Sequence, residues 1–544
     1  MDATLAALQP DGSGIAALSA GFSPADWAVL AAYGAVLIGS GWWFSRKPPD
    51  NAKSYFLADR SMPAWAVAVS ILATAQSAAT FVGVPQSSFL GNWSYLLTNL
   101  GPVIAAFIVV KFFLPAYFKL NVGTPYELLE TRFGPGARLA SSWAYLVGRT
   151  LAAGARTFIG ALPLSLAMFG DSSPEHMTWS IAAIMAVGIL YTFVGGISSV
   201  IWTDVLQVAV YLGAAIAALF VLLGKVQAPW PEVFEAFRTT SVDNAAGDKL
   251  TVIDWGVPFS LSTDTTVLTV LSGWMLLNLA AYSVDQDLVQ RMLTCKSPRE
   301  AAKSLLASTA VAVPVAILFL TIGSLLWLYY FRPDLTGGTT TPRVLPESKD
   351  VFQRFILNEM PPGLRGLMIA GVLAIGPAGI NATLNSMAST FINDTYKRFA
   401  PNASDRHQVL VGRAAVIASG IALALTAIAC VYWQRHSNQS LISFAMAIMS
   451  FAYAGLLGVF LVALFSRAGT TLSSILGLLT GLLVTAAFDP LLFKQWAPHI
   501  PLRNETTLAS ITIAFPWRFV LATTAAFLVT LSLSHPKTKP NHQP

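Results

Sequence analysis

The sequence predicts an all-α polytopic membrane protein with about thirteen spanning helices. Three observations carry that expectation. The 544 residues are 55% hydrophobic and only 11% charged, with mean hydropathy +0.61, whereas a soluble domain carries about 25% charged residues. Apolar stretches long enough to cross a bilayer recur along the whole chain. One of them, Ser61 to Gly83, turns small and polar halfway through, at Ala73-Thr74-Ala75-Gln76-Ser77-Ala78-Ala79-Thr80.

The expected spans run 26–44, 61–85, 95–118, 139–168, 177–195, 199–224, 267–292, 303–330, 365–395, 410–433, 440–465, 469–489 and 509–534. Two long connections, 225–266 and 331–364, are rich in Pro, Gly, Thr and charge and read as loops. Residues 1–25 lack the basic start and small-residue cleavage pattern of a signal peptide and read as an extracytoplasmic lead-in. Residues 535–544 read as a cytoplasmic tail.

Basic residues set the orientation. With the N-terminus outside, the inner segments hold Arg46, Lys47, Lys53, Arg60, Arg132, Arg138, Arg291, Lys296, Arg299, Lys303, Lys397, Arg398, Arg406, Arg413, Arg467, Lys537 and Lys539. The short outer loops hold Arg435, Lys494 and Arg503. The expectation is a multi-pass protein of the plasma or inner membrane, with its N-terminus outside and its C-terminus in the cytoplasm.

Composition excludes several classes. The net charge of +6 comes without a basic patch interleaved with aromatics, so no nucleic-acid partner is expected. The histidines fall in loops or the tail, which argues against haem or a histidine-held metal within the membrane. Cys295 and Cys430 imply no disulfide. The chain has no HExxH and no Gly-x-Ser-x-Gly, and an enzyme is not expected.

The interrupted segment has two readings. Hydroxyls and an amide at mid-depth fit a wet cavity with a broken helix around it. Small residues with Ser and Thr equally fit a helix-packing face. With the segment at 26–44 set aside as extra, residues 61–224 and 267–465 each contain five spans. An odd repeat must insert its second copy upside down, giving inverted five-helix repeats followed by two further helices over 469–534.

Four ordered motifs resemble the sodium:solute symporter family. Tyr55-Phe56-Leu57-Ala58-Asp59-Arg60-Ser61 followed by Ser77-Ala78-Ala79-Thr80-Phe81 is similar to its first core helix and lead-in. Gly195-Gly196, Val200 and Thr203-Asp204 with Gln207 match its GG-x3-VxxTDxxQ run. Asp285-Gln286 with Val289-Gln290-Arg291 and Lys296 resembles its DQxxVQR segment. Asn385-Ser386, Ser389-Thr390 and Asp394-Thr395-Tyr396-Lys397-Arg398 resemble the end of its eighth core helix. The resemblance implies a leucine-transporter-like fold, alternating access and a coupling ion, with no other cofactor.

It also implies a sodium position between carbonyls of the first core helix, here Ala73 and Gln76, and two adjacent serines of the eighth. Those serines fall on Ala378 and Gly379, after Pro377, and the third member of that face on Ile375. Ile375, Ala378, Gly379 and Ala382 form one helix face that offers no side-chain oxygen, and a sodium ion needs oxygens. The usual sodium site is expected to be absent or badly weakened. Asp204, with Asn381 facing it, is a second cation candidate for sodium or a proton; the alternative is that Asp204 caps its helix.

Arg149 and Arg156 lie seven residues apart in one expected span, on one face and about 10 Å apart. Each costs about 2.5–3.5 kcal/mol at mid-membrane unless paired or hydrated. Three readings stand: one grips a substrate carboxylate, one pairs with an internal acid such as Asp285 or Asp204, or both line a hydrated vestibule. The family's sugar-binding positions fall on Ala75, Ala79, Thr80 and Thr98, and its aromatic gate on Ala281 beside Tyr282. The groups that grip a hexose are missing, so a sugar is not expected. Thr74, Gln76, Thr80, Thr98, Asn99, Arg149, Arg156 and Tyr282 are the expected substrate-binding set. The expectation is a secondary transporter of a small, carboxylate-bearing solute coupled to sodium or protons. The alternatives are an uncoupled carrier of the same fold or a transporter-like sensor. Membrane lipid and the solute are the expected partners, with no obligatory protein partner.

Overall fold

The computed structural model describes residues 23–45, 52–76, 78–194, 196–239, 241–242, 245–246, 248–338, 351–435, 441–489 and 513–533. The lead-in before residue 23, the tail from 534, Ser77, Gly195 and residues 339–350 lie outside the described residues, as do the side chains of Ala79, Ile375 and Ala378.

The first group of expected spans, residues 61–224, follows α1 (Pro24–Ser45). It holds α2 (Ala64–Ala75), α3 (Ala78–Leu90), α4 (Trp93–Leu120), α5 (Tyr126–Phe133), α6 (Pro135–Phe169), α7 (Pro174–Val194) and α8 (Ile197–Lys225). After α9 (Trp230–Arg238) come α10 (Val267–Ser283), α11 (Gln286–Leu293) and α12 (Pro298–Phe331). Then follow α13 (Val351–Glu359), α14 (Leu364–Phe399), α15 (Asp405–Arg435) and α16 (Leu441–Phe465). The last two are α17 (Thr471–Ala487) and α18 (Phe515–Ser532).

Each expected span falls on a helix or a bent pair, but length and apolarity do not establish thirteen crossings. Seven described helices qualify alone, and nine when each bent pair counts as one. Of the helices outside that count, α17 is 17 residues long. The two long connections are also more ordered than expected. They contain α9 and α13, and a two-residue antiparallel pairing of Ser241–Val242 with Ala245–Ala246.

Both bends open a five-span group. α2 starts after Pro63 and stops at Ala75 because Gln76 leaves the helix for extended backbone (φ −72, ψ 153). The chain then turns by 59° into the α3 segment. In the second group α10 and α11 meet at 53°. Asp285 sits extended at that break and caps α11, its Oδ1 accepting from the Asp287 N–H at 2.9 Å. A broken helix exposes terminal N–H and C=O groups in the middle of the membrane.

The helices pack closely where small residues allow it. Gly148 of α6 lies against α16, where an added Cβ would come within 2.4 Å of the Ala452 Cα, and Gly323 of α12 leaves an added Cβ 2.1 Å from the Pro85 carbonyl oxygen in α3. Such contacts bring backbones together without a hydrophobic driving force, as membrane helices require. Outward-facing positions stay apolar, with Leu190 71% and Phe220 67% exposed, which suits a surface wetted by lipid rather than water.

Candidate functional site

The two breaks face one cavity of about 130 Å³. All eight expected substrate-binding residues, Thr74, Gln76, Thr80, Thr98, Asn99, Arg149, Arg156 and Tyr282, line it. Segments far apart in the chain meet here: α2 and α3, the start of α4, one face of α6, α10, and the middle of α16.

Several lining groups are held by their own helices. The Thr74 hydroxyl donates to the Ser70 carbonyl at 2.9 Å, Thr98 to Tyr95 at 2.6 Å, and the Asn99 amide to Leu96 at 3.2 Å. The Tyr211 hydroxyl donates to Gln76 Oε1 at 3.5 Å. Sequence reasoning passed over Asn278, Met449 and Tyr453, which also line the cavity. Their apolar or weakly polar surroundings gave no local signal.

The two arginines have different environments. Arg149 is 2% exposed and fully engaged. Its Nη1 donates to Asp285 Oδ2 at 2.9 Å and to the Tyr453 hydroxyl at 2.8 Å. Its Nη2 donates to Asp287 Oδ2 and to Thr383 Oγ1, and Nε also reaches Thr383. Of the open readings for this residue, the internal-acid pairing is the one present. Arg156 lines the same cavity wall with no acid bonded to it among the described residues. Its Nη1 donates to the Thr74 carbonyl at 3.3 Å, and Nη2 approaches Met449 Sδ at 3.2 Å. Its Nε is buried with no hydrogen-bond partner among the described residues. The Thr74 carbonyl is available because α2 ends one residue later.

The buried charges extend beyond the cavity. Arg291, fully buried, donates through Nη1 to Asp287 Oδ1 at 2.7 Å, through Nη2 to Asp204 Oδ2 at 3.1 Å, and through Nε to the Ser70 hydroxyl at 2.8 Å. The Ser70 hydroxyl in turn donates to Asp204 Oδ2 at 2.5 Å. Asp204 Oδ1 has no partner among the described residues. A continuous chain thus runs Asp204–Arg291–Asp287–Arg149–Asp285–Tyr453. The sequence singled out Asp204 and Asp285 but not Asp287. The available signal was its spacing, four residues before Arg291.

The cation candidates are only partly brought together. Ala73 is fully buried in the last turn of α2, and Gln76 stands at the break. Gly379 lies within α14, and no atom would come within 4 Å of a Cβ added there. Asp204 and Asn381 share no hydrogen bond among the described residues: Asn381 Oδ1 accepts from the Thr192 hydroxyl of α7 at 3.1 Å, and Ser70 and Arg291 hold Asp204 Oδ2.

A small polar cavity, walled by two broken membrane helices and carrying buried charge, defines a multi-pass membrane transporter. The family model described as the sodium:solute symporter family matches residues 55–481. The sodium/sialic acid symporter NanT of Aliivibrio fischeri is 29% identical over 465 residues, covering 85% of this chain and 87% of that protein. The sodium/glucose cotransporter of Vibrio parahaemolyticus is 28% identical over 504 residues, covering 88% and 86%. A solved structure of a sodium-coupled sialic acid symporter, substrate-bound and outward-open, aligns with TM-score 0.76 at 25% identity, covering 94% of this chain and 98% of that one. The chain belongs to the sodium:solute symporter family. Its all-helical architecture is leucine-transporter-like, and its matched relatives are transporters rather than enzymes.

Proposed function

We propose that this protein is a symporter that carries a small carboxylate-bearing solute across the membrane by alternating access, together with sodium or a proton. In this reading residues 61–224 and 267–465 are the two inverted repeats, and the N-terminus faces outside. The observation that carries it is Arg156. A guanidinium on a cavity wall, bonded only to a carbonyl and a thioether, has unused donors suited to a carboxylate. The similarity to a sialic acid symporter supports the same chemistry, because sialic acid bears a carboxylate. The remaining lining of hydroxyls, amides and aromatics suits the neutral part of such a solute.

Thermal melting of the purified protein against carboxylates, neutral sugars and neutral amino acids tests this. A ligand that binds only the folded form raises stability by RT ln(1 + [L]/Kd). Stabilisation by carboxylates alone is the expected result, and stabilisation by neutral sugars alone would sink the reading.

For the coupling ion, the position usual in the family is weakened here by Ala378 and Gly379, and Asp204 Oδ1 is a buried carboxylate oxygen with no partner among the described residues, suited to a cation. The space around Gly379 supports a direct check. Gly379→Ser with Ala378→Ser is expected to raise sodium affinity by roughly tenfold, about 1.4 kcal/mol for the added oxygens. Sodium-dependent melting would read it. An unchanged sodium response in the double variant would show that the missing hydroxyls are not what limits the site.

An uncoupled carrier is the second reading, favoured by the same Gly379 position. Net accumulation of solute in vesicles separates the two.

A further inference from the structure

We infer that Asp287 sets the charge of the transport site, and that this is why a carboxylate enters it only with a cation. The inference rests on the carboxylate reading above.

Asp287 is the acid that joins two otherwise separate ion pairs. Its Oδ2 accepts from Arg149 and from the Thr383 hydroxyl, and its Oδ1 accepts from Arg291 at 2.7 Å. Without it, Asp285 would still hold Arg149 and Asp204 would still hold Arg291. With it, three aspartates face three arginines: Asp204, Asp285 and Asp287 against Arg149, Arg291 and Arg156. The side chains of the five linked members are at most 3% exposed, and Arg156 shares the cavity wall with Arg149 and Asp285. The empty site is therefore neutral as an ensemble.

A monoanionic carboxylate at Arg156 adds one uncompensated negative charge to a place shielded from water. Charge in such a place must be matched. One positive charge, from sodium or a proton, must arrive with the substrate, and Asp204 Oδ1 is a free acceptor at the far end of the same chain. Asp287 does not touch the substrate in this scheme; it positions both arginines and fixes the balance.

The neutral variant Asp287→Asn leaves the site with one excess positive charge. Carboxylate affinity in the wild type is expected to rise roughly 5- to 150-fold when the cation is present, the usual span of a coupling factor. In Asp287→Asn that dependence is expected to collapse to within about twofold. Carboxylate binding would be measured by melting and calorimetry in sodium and in choline at neutral pH, and in choline at acidic pH. The sodium arm identifies sodium as the partner and the acid arm a proton.

Removing Arg149 as well restores the balance. Asp287→Asn with Arg149→Gln is expected to regain the wild-type cation requirement, which a merely structural role for Asp287 does not predict. It also gives an answer should the single variant not fold. Wild-type cation dependence retained in Asp287→Asn, or cation-independent binding by the double variant, overturns the inference while leaving the carboxylate reading standing. Failure of the wild type to bind any carboxylate overturns both.

Discussion

Arg156→Gln is expected to remove carboxylate binding while leaving the protein folded. The guanidinium contributes charge-assisted hydrogen bonds of about 1.5–3 kcal/mol, so affinity should fall by roughly 10- to 150-fold. Stability should hold, because the residue gives the folded state only a 3.3 Å bond to the Thr74 carbonyl and a thioether contact. Arg156→Lys is expected to recover only part of the affinity, since an ammonium lacks the planar fork that grips two carboxylate oxygens. Calorimetry of the best carboxylate against the three proteins reads this directly. Equal affinity in wild type and Arg156→Gln would move the substrate to another wall of the cavity.

Arg149→Gln should behave in the opposite way and act first on stability. Its guanidinium faces Asp285 and Asp287 together, with Tyr453 and Thr383 closing the remaining geometry. Deleting it leaves the buried Asp285 with no cationic partner and leaves Arg291 facing both Asp204 and Asp287, and breaking a buried ion pair by removing one partner costs about 3–5 kcal/mol. A large drop in melting temperature is expected, with poor recovery from detergent. Adding Asp287→Asn removes one of the two acids that then share Arg291 and leaves it with Asp204, so the double variant is expected to melt above Arg149→Gln. Melting of the four proteins in one detergent forms a double-mutant cycle. Strict additivity would mean that Arg149 and Asp287 do not act on each other across the α6–α11 contact.

Together the two variants separate the roles of neighbouring arginines that look alike in the sequence. Arg149 and Arg156 share a helix face, and nothing within α6 itself distinguishes them. What differs is what the rest of the fold brings to each. α11 brings two carboxylates to Arg149, whereas Arg156 meets the end of α2 and a methionine of α16.

The membrane class, the order of the helices, the family and eight members of the cavity wall were legible in the sequence. They rest on features that local composition carries: apolar runs of spanning length, the small polar interruption at Ala73–Thr80, and four motifs spaced along the chain. The interruption and the α10–α11 break turned out to be the same device used twice. The second was not legible, because Val284-Asp285 interrupts its run with only one polar residue before the helix resumes.

Partnership among buried charges was decided by tertiary structure alone. Nothing in the sequence showed that Ser70 and Arg291 would occupy Asp204 Oδ2 or that Asn381 would accept from Thr192. Sequence reasoning overlooked Asp287, whose two oxygens join arginines from different helices. The physical reason is range. Burial of apolar faces follows a helical period that can be read over a few turns, whereas an ion pair in a membrane interior is settled by which oppositely charged groups meet once six helices have packed.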